Sequence, residues 1–523
     1  MPEYLSPGIY IQEKSEGARA IAGVGTSTCV FPGIAERGPV DALISNAPYP
    51  LFITGYADYE TKFGRMNRYT DGGTVYEFFD LPQSVAMFFN KGGLRAYIAR
   101  LVGADAITAK HVTPSNEWTI WAGKWYGKTT LKEPGKWGNR IVITVTPNED
   151  YNPLKYDVAV FYQDAPASEV LQVEAFTAVD FVDAASPQYF PEVINAGSNF
   201  IWVEKGIGGV PAALPSGTSC SGGTEGTAPT QAIWGTSQSG ALASLNSIDE
   251  MFMLVAPDQM WYTDGATAAA VQGALIDYAD YRKYVFAICQ TPSGLSPQDS
   301  LTFMRTTLNK NSQRYAVYYP WVKIQDPLNL GRPKLFPNVG LVAGVYAATD
   351  NNRNVAKAPA GITDGALSGI IDLERTLTKA ERDLIYPARI NPLISTPQTG
   401  RCVWGARTGS LDTLWRYVSV VRTFQYLEKS TFDATHWIVF ENNDAGTRLK
   451  AKLQMESFLL FHYNEGYFAG NTPEEAFFVV CDETNNPSEA VEAGFLYIKV
   501  GIAPQRPAEF VVFQFMQKTT KAQ

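Results

Sequence analysis

An alternation in the middle of the chain narrows the choice of folds more than any other feature. Strand-like apolar runs at Phe252–Ala256, Val285–Ile288 and Tyr315–Tyr319 are separated by helix-like stretches over 266–283 and 297–309. Parallel strands need a crossover of a dozen or more residues, and a helix is the usual crossover, so the pattern predicts an α/β layer with a mainly parallel sheet. At 523 residues the chain exceeds what one hydrophobic core holds, and roughly two to four domains are expected around that layer.

On either side the periodicity changes. Residues 1–25 read as an extended arm, because Pro2, Pro7 and Gly8 discourage helix while Ile9 and Ile11 alternate with Tyr10 and Gln12. Over 26–104, an N-terminal part of the core, Cys29-Val-Phe31 forms a short apolar run, a helix is expected from Ser84 to Asn90, and Lys91-Gly92-Gly93 stops it before a strand over Leu94–Val102. From 105 to 204 the period becomes two, with strands at Ile141–Val145 and Val158–Phe161, which predicts an inserted β-rich domain. The Gly-, Ser-, Thr- and Pro-rich stretch 205–240 predicts an exposed loop at a domain boundary.

The α/β layer then occupies 241–390. A second, α+β domain follows over 391–505, with helices over 409–430 and 444–464 and strands at Trp437–Phe440, Ala476–Cys481 and Phe495–Val500. A β-rich tail closes the chain over 506–523, where Phe510 and Val512 alternate with Val511 and Phe513.

Several functional classes are excluded by what is missing. With 43 basic against 52 acidic residues and no basic run, the net charge of −9 disfavours nucleic acid. Five scattered cysteines, without a CxxC spacing, fit neither a disulfide framework nor a zinc site and read as inert thiols in a reducing cytosol. No run of about 18 apolar residues is present, and the first residues lack a signal peptide's basic and apolar regions, so synthesis and folding in the cytoplasm are expected.

Ala122-Gly-Lys-Trp-Tyr-Gly-Lys-Thr129 imitates a phosphate loop, yet Ala122 stands where the first glycine is required and Pro134 follows too soon for a long helix. The histidines are His111, His436 and His462, so the stretch 240–385 has none and offers no Ser-His-Asp arrangement. Neither a cofactor nor a metal is implied. An enzyme or ligand-binding protein built on the α/β layer remains the alternative to a purely structural role.

Motifs spread from end to end carry a family resemblance. They include Ser6-Pro-Gly-Ile-Tyr10, Arg37-Gly-Pro39, Phe88-Phe-Asn-Lys-Gly-Gly93, Pro134-Gly-Lys-Trp-Gly-Asn139, Leu254-Val-Ala-Pro-Asp258, Tyr318-Tyr-Pro-Trp321, Asp350, Trp404-Gly-Ala-Arg-Thr408, Arg422, Phe440-Glu-Asn442, Thr472-Pro-Glu-Glu-Ala-Phe477 and Pro507-Ala-Glu-Phe510. In this order they resemble the sheath proteins of contractile tails. The resemblance implies a subtilisin-like α/β domain without catalytic role, a C-terminal α+β domain and a variable β insertion. It also implies stacked hexameric rings around an inner tube, which the sheath drives through a target envelope by contracting.

By the same resemblance, N- and C-terminal strands are donated to neighbouring subunits, here Tyr4, Leu5, Ile9, Tyr10 and Ile11, and Phe510, Val511, Val512, Phe513 and Phe515. Unpaired, such strands are aggregation hazards; added to a neighbour's sheet, they become links. A helix of the C-terminal domain faces the tube in the family. The matching stretch is 444–464, where Arg448 and Lys452 are expected on one face with Lys450 nearby; an ordinary solvated face is the alternative. Further partners implied are the baseplate, a cap protein and, in injection systems, sheath paralogues. The particle would be a virion tail or an extracellular or membrane-anchored injection system, and one chain carrying both portions argues against the split type VI form.

Overall fold

The computed structural model describes residues 21–509, apart from 114–117, 167, 207–213, 259–261 and 263. The chain packs as two compact units: a larger one, 25–425, and a smaller one whose described residues are 21–24 and 426–509.

An eight-stranded sheet organises the larger unit. Its strands are β1 (Thr28–Gly33), β2 (Leu51–Ile53), β3 (Arg95–Arg100), β4 (Phe252–Leu254), β5 (Val285–Gln290), β6 (Tyr315–Tyr319), β7 (Ile390–Thr396) and β8 (Gly400–Val403). The spatial order is β8-β7-β6-β5-β4-β1-β3-β2. The strands from β7 to β3 run parallel, while β2 and β8 close the edges antiparallel. Every residue of β1, β4, β5 and β6 is buried, as expected of parallel strands covered on both faces. Helices supply that cover. On one face Phe31, Phe286 and Tyr318 pack with residues of α1 (Asp80–Lys91) and α3 (Val339–Asn352); on the other, Val30, Leu254 and Val317 pack with Val271 and Leu275 of α2 (Gly265–Arg282).

Glycines let α1 and α3 approach closely. A Cβ on Gly340 would lie 2.6 Å from the Ser84 Cβ, and one on Gly344 would lie 2.7 Å from the Lys91 Cβ. Helix α1 starts four residues before Ser84, with Asp80 favouring its first turn. It ends where Gly92, at φ 122°, donates to the carbonyls of Phe88 and Phe89. The helix expected over 297–309 is α-helical only over Pro297–Thr302 and widens to a π turn over Phe303–Leu308.

The insertion is β-rich. An antiparallel sheet orders its strands as Val170–Val179, Lys155–Gln163, Ile141–Asn148 and Leu214–Ser219, and a three-stranded sheet joins Ile201–Lys205, Trp118–Ala122 and Lys110–Val112. Trp118, Trp137, Ile143, Val160 and Phe190 form its own core. The loop expected over 205–240 therefore needs correction: it contributes an edge strand, and Cys220 and Trp234 are buried. A poor apolar composition does not prevent pairing, because ladder bonds come from the backbone.

Arg100, the last residue of β3, is 0% exposed. Its Nε donates to the Ala35 carbonyl at 2.8 Å, Nη2 to that of Glu36 at 2.9 Å, and Nη1 to those of Gly38 at 3.2 Å and Pro134 at 2.7 Å. Beside it, Glu133 accepts from the Gly38 N–H, and Glu36 pairs with Arg140 of the insertion at 2.5 Å. One guanidinium thus binds the end of the central sheet to the first loop of the core and to the insertion.

In the smaller unit the chain departs further from expectation. The helix expected over 409–430 is α4 (Val418–Ala434), which crosses from one unit into the other, because 409–417 forms turns in which Thr408 Oγ1 donates to the Trp415 carbonyl. The unit boundary lies there and not at 390/391, since β7 and β8 belong to the large sheet. The strand expected at Trp437–Phe440 is a 3-10 turn over His436–Ile438, after which Phe440 stands fully exposed at φ 72°. Among the described residues no strand runs beside it. Helix α5 (Ala445–Asn464) begins where Asp444 accepts from the Thr447 N–H at 2.7 Å. Strands β9 (Phe477–Val480) and β10 (Lys499–Ile502) form an antiparallel pair, with β10 beginning four residues later than expected from the sequence.

Replacing Arg100 with Met leaves four buried carbonyls without their donor and Glu225 without its cation. Urea unfolding of this variant is expected to show a loss of about 3–5 kcal/mol, the usual cost of breaking a buried charge cluster from one side.

Candidate assembly surface

An α/β sheet presents its ligand crevice at the carboxyl ends of the strands, where the winding reverses. Here the reversal falls between β1 and β4, since the chain adds β3 and β2 on one side and β4 to β8 on the other. That place is filled by the Asp258 side chain, 5% exposed, whose Oδ2 accepts from the Ile34 N–H at 2.9 Å. Gly33 makes room for it, because a Cβ there would come within 2.5 Å of Oδ2. Burial, with the Asp80 charge adding to it, pushes the Asp258 carboxyl well above the usual carboxylate range.

A cavity of about 500 Å³ lies elsewhere, lined by Arg37, Arg65 and Glu60 and by Asp164, Leu171 and Phe200 of the insertion. Its two arginines have partners, although Nε and Nη1 of Arg37 are buried without a bond. Arg65 pairs with Asp164 at 2.5 Å, and Arg37 donates Nη2 to the carbonyls of Glu60 and Thr61 while lying over the Phe200 ring at 4.7 Å. Among the described residues no group of three or more His, Cys, Asp or Glu is arranged to hold a metal ion.

The smaller unit has a different surface. Among the described residues, eleven of the 31 exposed large apolar side chains belong to 426–509, far more than its share of the chain. Helix α5 is apolar on two sides. Ala451, Met455, Phe458 and Leu459 are buried, while Leu449, Leu453, Leu460 and Phe461 are 43–60% exposed along the opposite face. Residues three, four, seven and eleven apart share a helix face, so these four form one stripe with Lys450.

That arrangement corrects the expected charged face. Arg448 is 9% exposed and donates Nη1 to the Asn443 side chain at 3.1 Å. Lys452 is half-buried, 3.8 Å from Glu456; of the three cations only Lys450 stands on the exposed face. The signal that would have found the apolar stripe is a helix whose apolar residues occupy more of its circumference than one core contact needs.

Strands β9 and β10 pair only with each other among the described residues, and Phe478 and Val500 on them are exposed. Phe495 and Tyr497 stack just before β10 with ring centres 5.9 Å apart, both half exposed. Tyr4, Leu5, Ile9, Tyr10 and Ile11, and Phe510, Val511, Val512, Phe513 and Phe515, lie outside the described residues.

Exposed apolar side chains gathered in one small unit are a feature common to surfaces that bind other chains. Family models agree with that class: the phage tail sheath protein central domain matches residues 236–409 and the phage tail sheath C-terminal domain matches 410–518, together more than half of the chain. The chain belongs to the phage tail sheath family. It is 29% identical over 212 residues to the tail sheath protein of Vibrio phage KVP40, covering 40% of this chain and 31% of the relative. To the tail sheath protein of Enterobacteria phage T4 it is 26% identical over 274 residues, covering 49% and 40%. The chain thus spans well under half the length of these relatives. The helical sheath of the anti-feeding prophage in its contracted state has the same fold, with a TM-score of 0.59 at 21% identity over 99% of this chain and 100% of that one.

The carboxyl edge yields a test of its own. A folded-state pKa above the unfolded value means that the native chain holds a proton the unfolded chain releases above about pH 4, so the Asp258 contribution falls as pH rises from there. Asp258→Asn keeps the acceptor for the Ile34 N–H and removes this titration. Urea melts at pH 5 and pH 8 are expected to show a stability gain of the variant over the parent that grows with pH.

Proposed function

We propose that the chain is the repeating structural subunit of a contractile sheath, polymerised as stacked hexameric rings around an inner tube that its contraction drives through a target envelope. The observation that carries the reading is the end-to-end likeness to a contracted sheath in a chain of this family. The large sheet then serves as a rigid, subtilisin-like body with no catalytic role, and Asp258 closing its crevice fits that role.

In this reading the residues around Tyr4–Ile11 and Phe510–Phe515 pair with the outer edges of β9 and β10 in neighbouring subunits, supplying backbone partners that those edges lack within the described chain. The tube contact is made by the stripe Leu449, Leu453, Leu460 and Phe461 with Lys450, in place of a charge contact through Arg448 and Lys452. Partners beyond the sheath itself are the tube, a baseplate, a cap and sheath paralogues. Assembly takes place in the bacterial cytoplasm, and the finished particle is a virion tail or an injection system. Contraction then needs no fuel: a gain of about 1.4 kcal/mol per subunit biases each one tenfold, and shared strands make the change cooperative.

Electron microscopy of the purified chain, alone and with tube protein, tests the reading. Hollow helical sleeves are expected, and dispersed particles that never polymerise with tube present would sink it. Leu453→Glu with Phe461→Glu, both on exposed positions, is expected to leave folding stability within about 0.5 kcal/mol of the parent while removing tube binding in co-sedimentation.

A further inference from the structure

The chain enters the larger unit at Gly25 and leaves it at Gln425. One side chain lies between these two points. Arg422, three residues before the exit, donates Nη2 to the carbonyl of Thr26, one residue after the entry, at 2.9 Å. The same guanidinium forks onto Asp350 at the end of α3, with Nη1 to Oδ1 at 2.8 Å and Nη2 to Oδ2 at 2.6 Å, and both side chains are 2% exposed. Its plane lies over the Tyr346 ring at 5.1 Å, and the Tyr346 hydroxyl is 2.6 Å from that of Tyr318 in β6. Nearby, Gln425 Nε2 donates to the carbonyls of Lys283 and Val285 at 2.8 and 2.9 Å, which fixes the exit to the start of β5.

We propose that Arg422 is the anchoring residue through which a pull on the N-terminal arm passes into the core of the larger unit. The geometry distinguishes this from ordinary stabilisation. Asp350 alone would satisfy the charge of Arg422; the third bond reaches the backbone of Thr26, two residues before β1 begins. Beyond the bond of the Val24 N–H to Ser430 Oγ inside the smaller unit, tension that reaches Gly25 meets Arg422 before it meets the ladder that holds β1 between β3 and β4. A bidentate, desolvated guanidinium pair is among the strongest noncovalent contacts, and lysine cannot reproduce its fork. Because the exit lies one helical turn beyond Arg422, a load shared between arm and smaller unit closes across this contact and need not shear the sheet.

The inference rests on residues 1–25 acting as a load-bearing arm, but its test needs no assembled sheath, so failure to polymerise and failure of the anchor are separate results. The full chain is held by its two ends at constant force in an optical trap. Opening of 25–425 is identified by a length step above about 1,000 Å. Arg422→Lys and Asp350→Asn are compared with Ile288→Ala, a fully buried apolar change in β5, at equal loss of urea midpoint. Arg422→Lys leaves a cation beside Asp350 should Asp350→Asn fail to fold. The anchor predicts that the closed state of the larger unit lives about tenfold less long under load than the control, the factor that about 1.4 kcal/mol produces. Lifetimes that fall no further than in Ile288→Ala would overturn it, because Arg422 would then be an ordinary core contact.

Discussion

The larger unit depends on a guanidinium that water never reaches. Arg100 ends a buried strand and reaches four carbonyls on two separate stretches of chain, 35–38 and Pro134. Those carbonyls belong to segments without regular structure, which need partners other than a ladder. An apolar residue at position 100 would fill the space and leave them unpaired; a lysine has one nitrogen where this site uses three. The charge itself is costly to bury, and burial lowers the Arg100 pKa, but Glu225, Glu133 and Glu36 surround it and offset that cost. The insertion is therefore fixed to the sheet by polar geometry, while each side keeps its own apolar core.

Much of the central layer is legible in the sequence because its signals are local. The runs at 252, 285 and 315 are buried on both faces and therefore apolar without interruption, and the intervening helices are long enough to show. The strands at 141 and 158 alternate because one face meets the core of the insertion. What escapes the sequence is whatever depends on partners distant in the chain. Leu214–Ser219 is a strand only because Ile141–Asn148 runs beside it, and Trp437–Phe440 is not one because no strand among the described residues does. Gly405, Arg407 and Thr408 read as family marks, but their place beside β6 and β7 appears only in the fold, where Asn391 accepts from the Arg407 N–H and Gly409 donates to the Tyr315 carbonyl.

The candidate surface shows the same limit more sharply. Arg448, Leu449, Lys450, Lys452 and Leu453 sit within six positions, and charge spacing alone singles out Arg448 and Lys452. The fold rotates the helix the other way: Arg448 turns inward to Asn443, at the start of the helix, and the leucines turn outward. Which side of a doubly apolar helix faces inward is decided by β9, Trp437 in the turn at His436–Ile438 and Tyr426 of α4, none of which the helix sequence encodes. An outward apolar stripe is stable only against another surface, so its presence in this unit points to assembly more directly than any charge pattern.

A sheath that contracts without fuel needs two kinds of contact in one chain, and the proposed function explains why both are here. Contacts that must survive are dry and charge-assisted: Arg100 on its carbonyls, Glu36 on Arg140, Arg422 on Asp350. Contacts that must be exchanged between subunits are backbone edges and exposed apolar side chains, which re-form with any suitably placed neighbour and lose little by sliding. Were the order reversed, with buried ion pairs between subunits and loose apolar packing inside them, contraction would break the expensive contacts and deform the cheap ones. Strain would then unfold subunits before it moved the sleeve. Under the proposed function, concentrating the guanidinium pairs inside 25–425 and, among the described residues, the unpaired edges in 426–509 assigns the exchangeable contacts to the part of the chain that would trade partners.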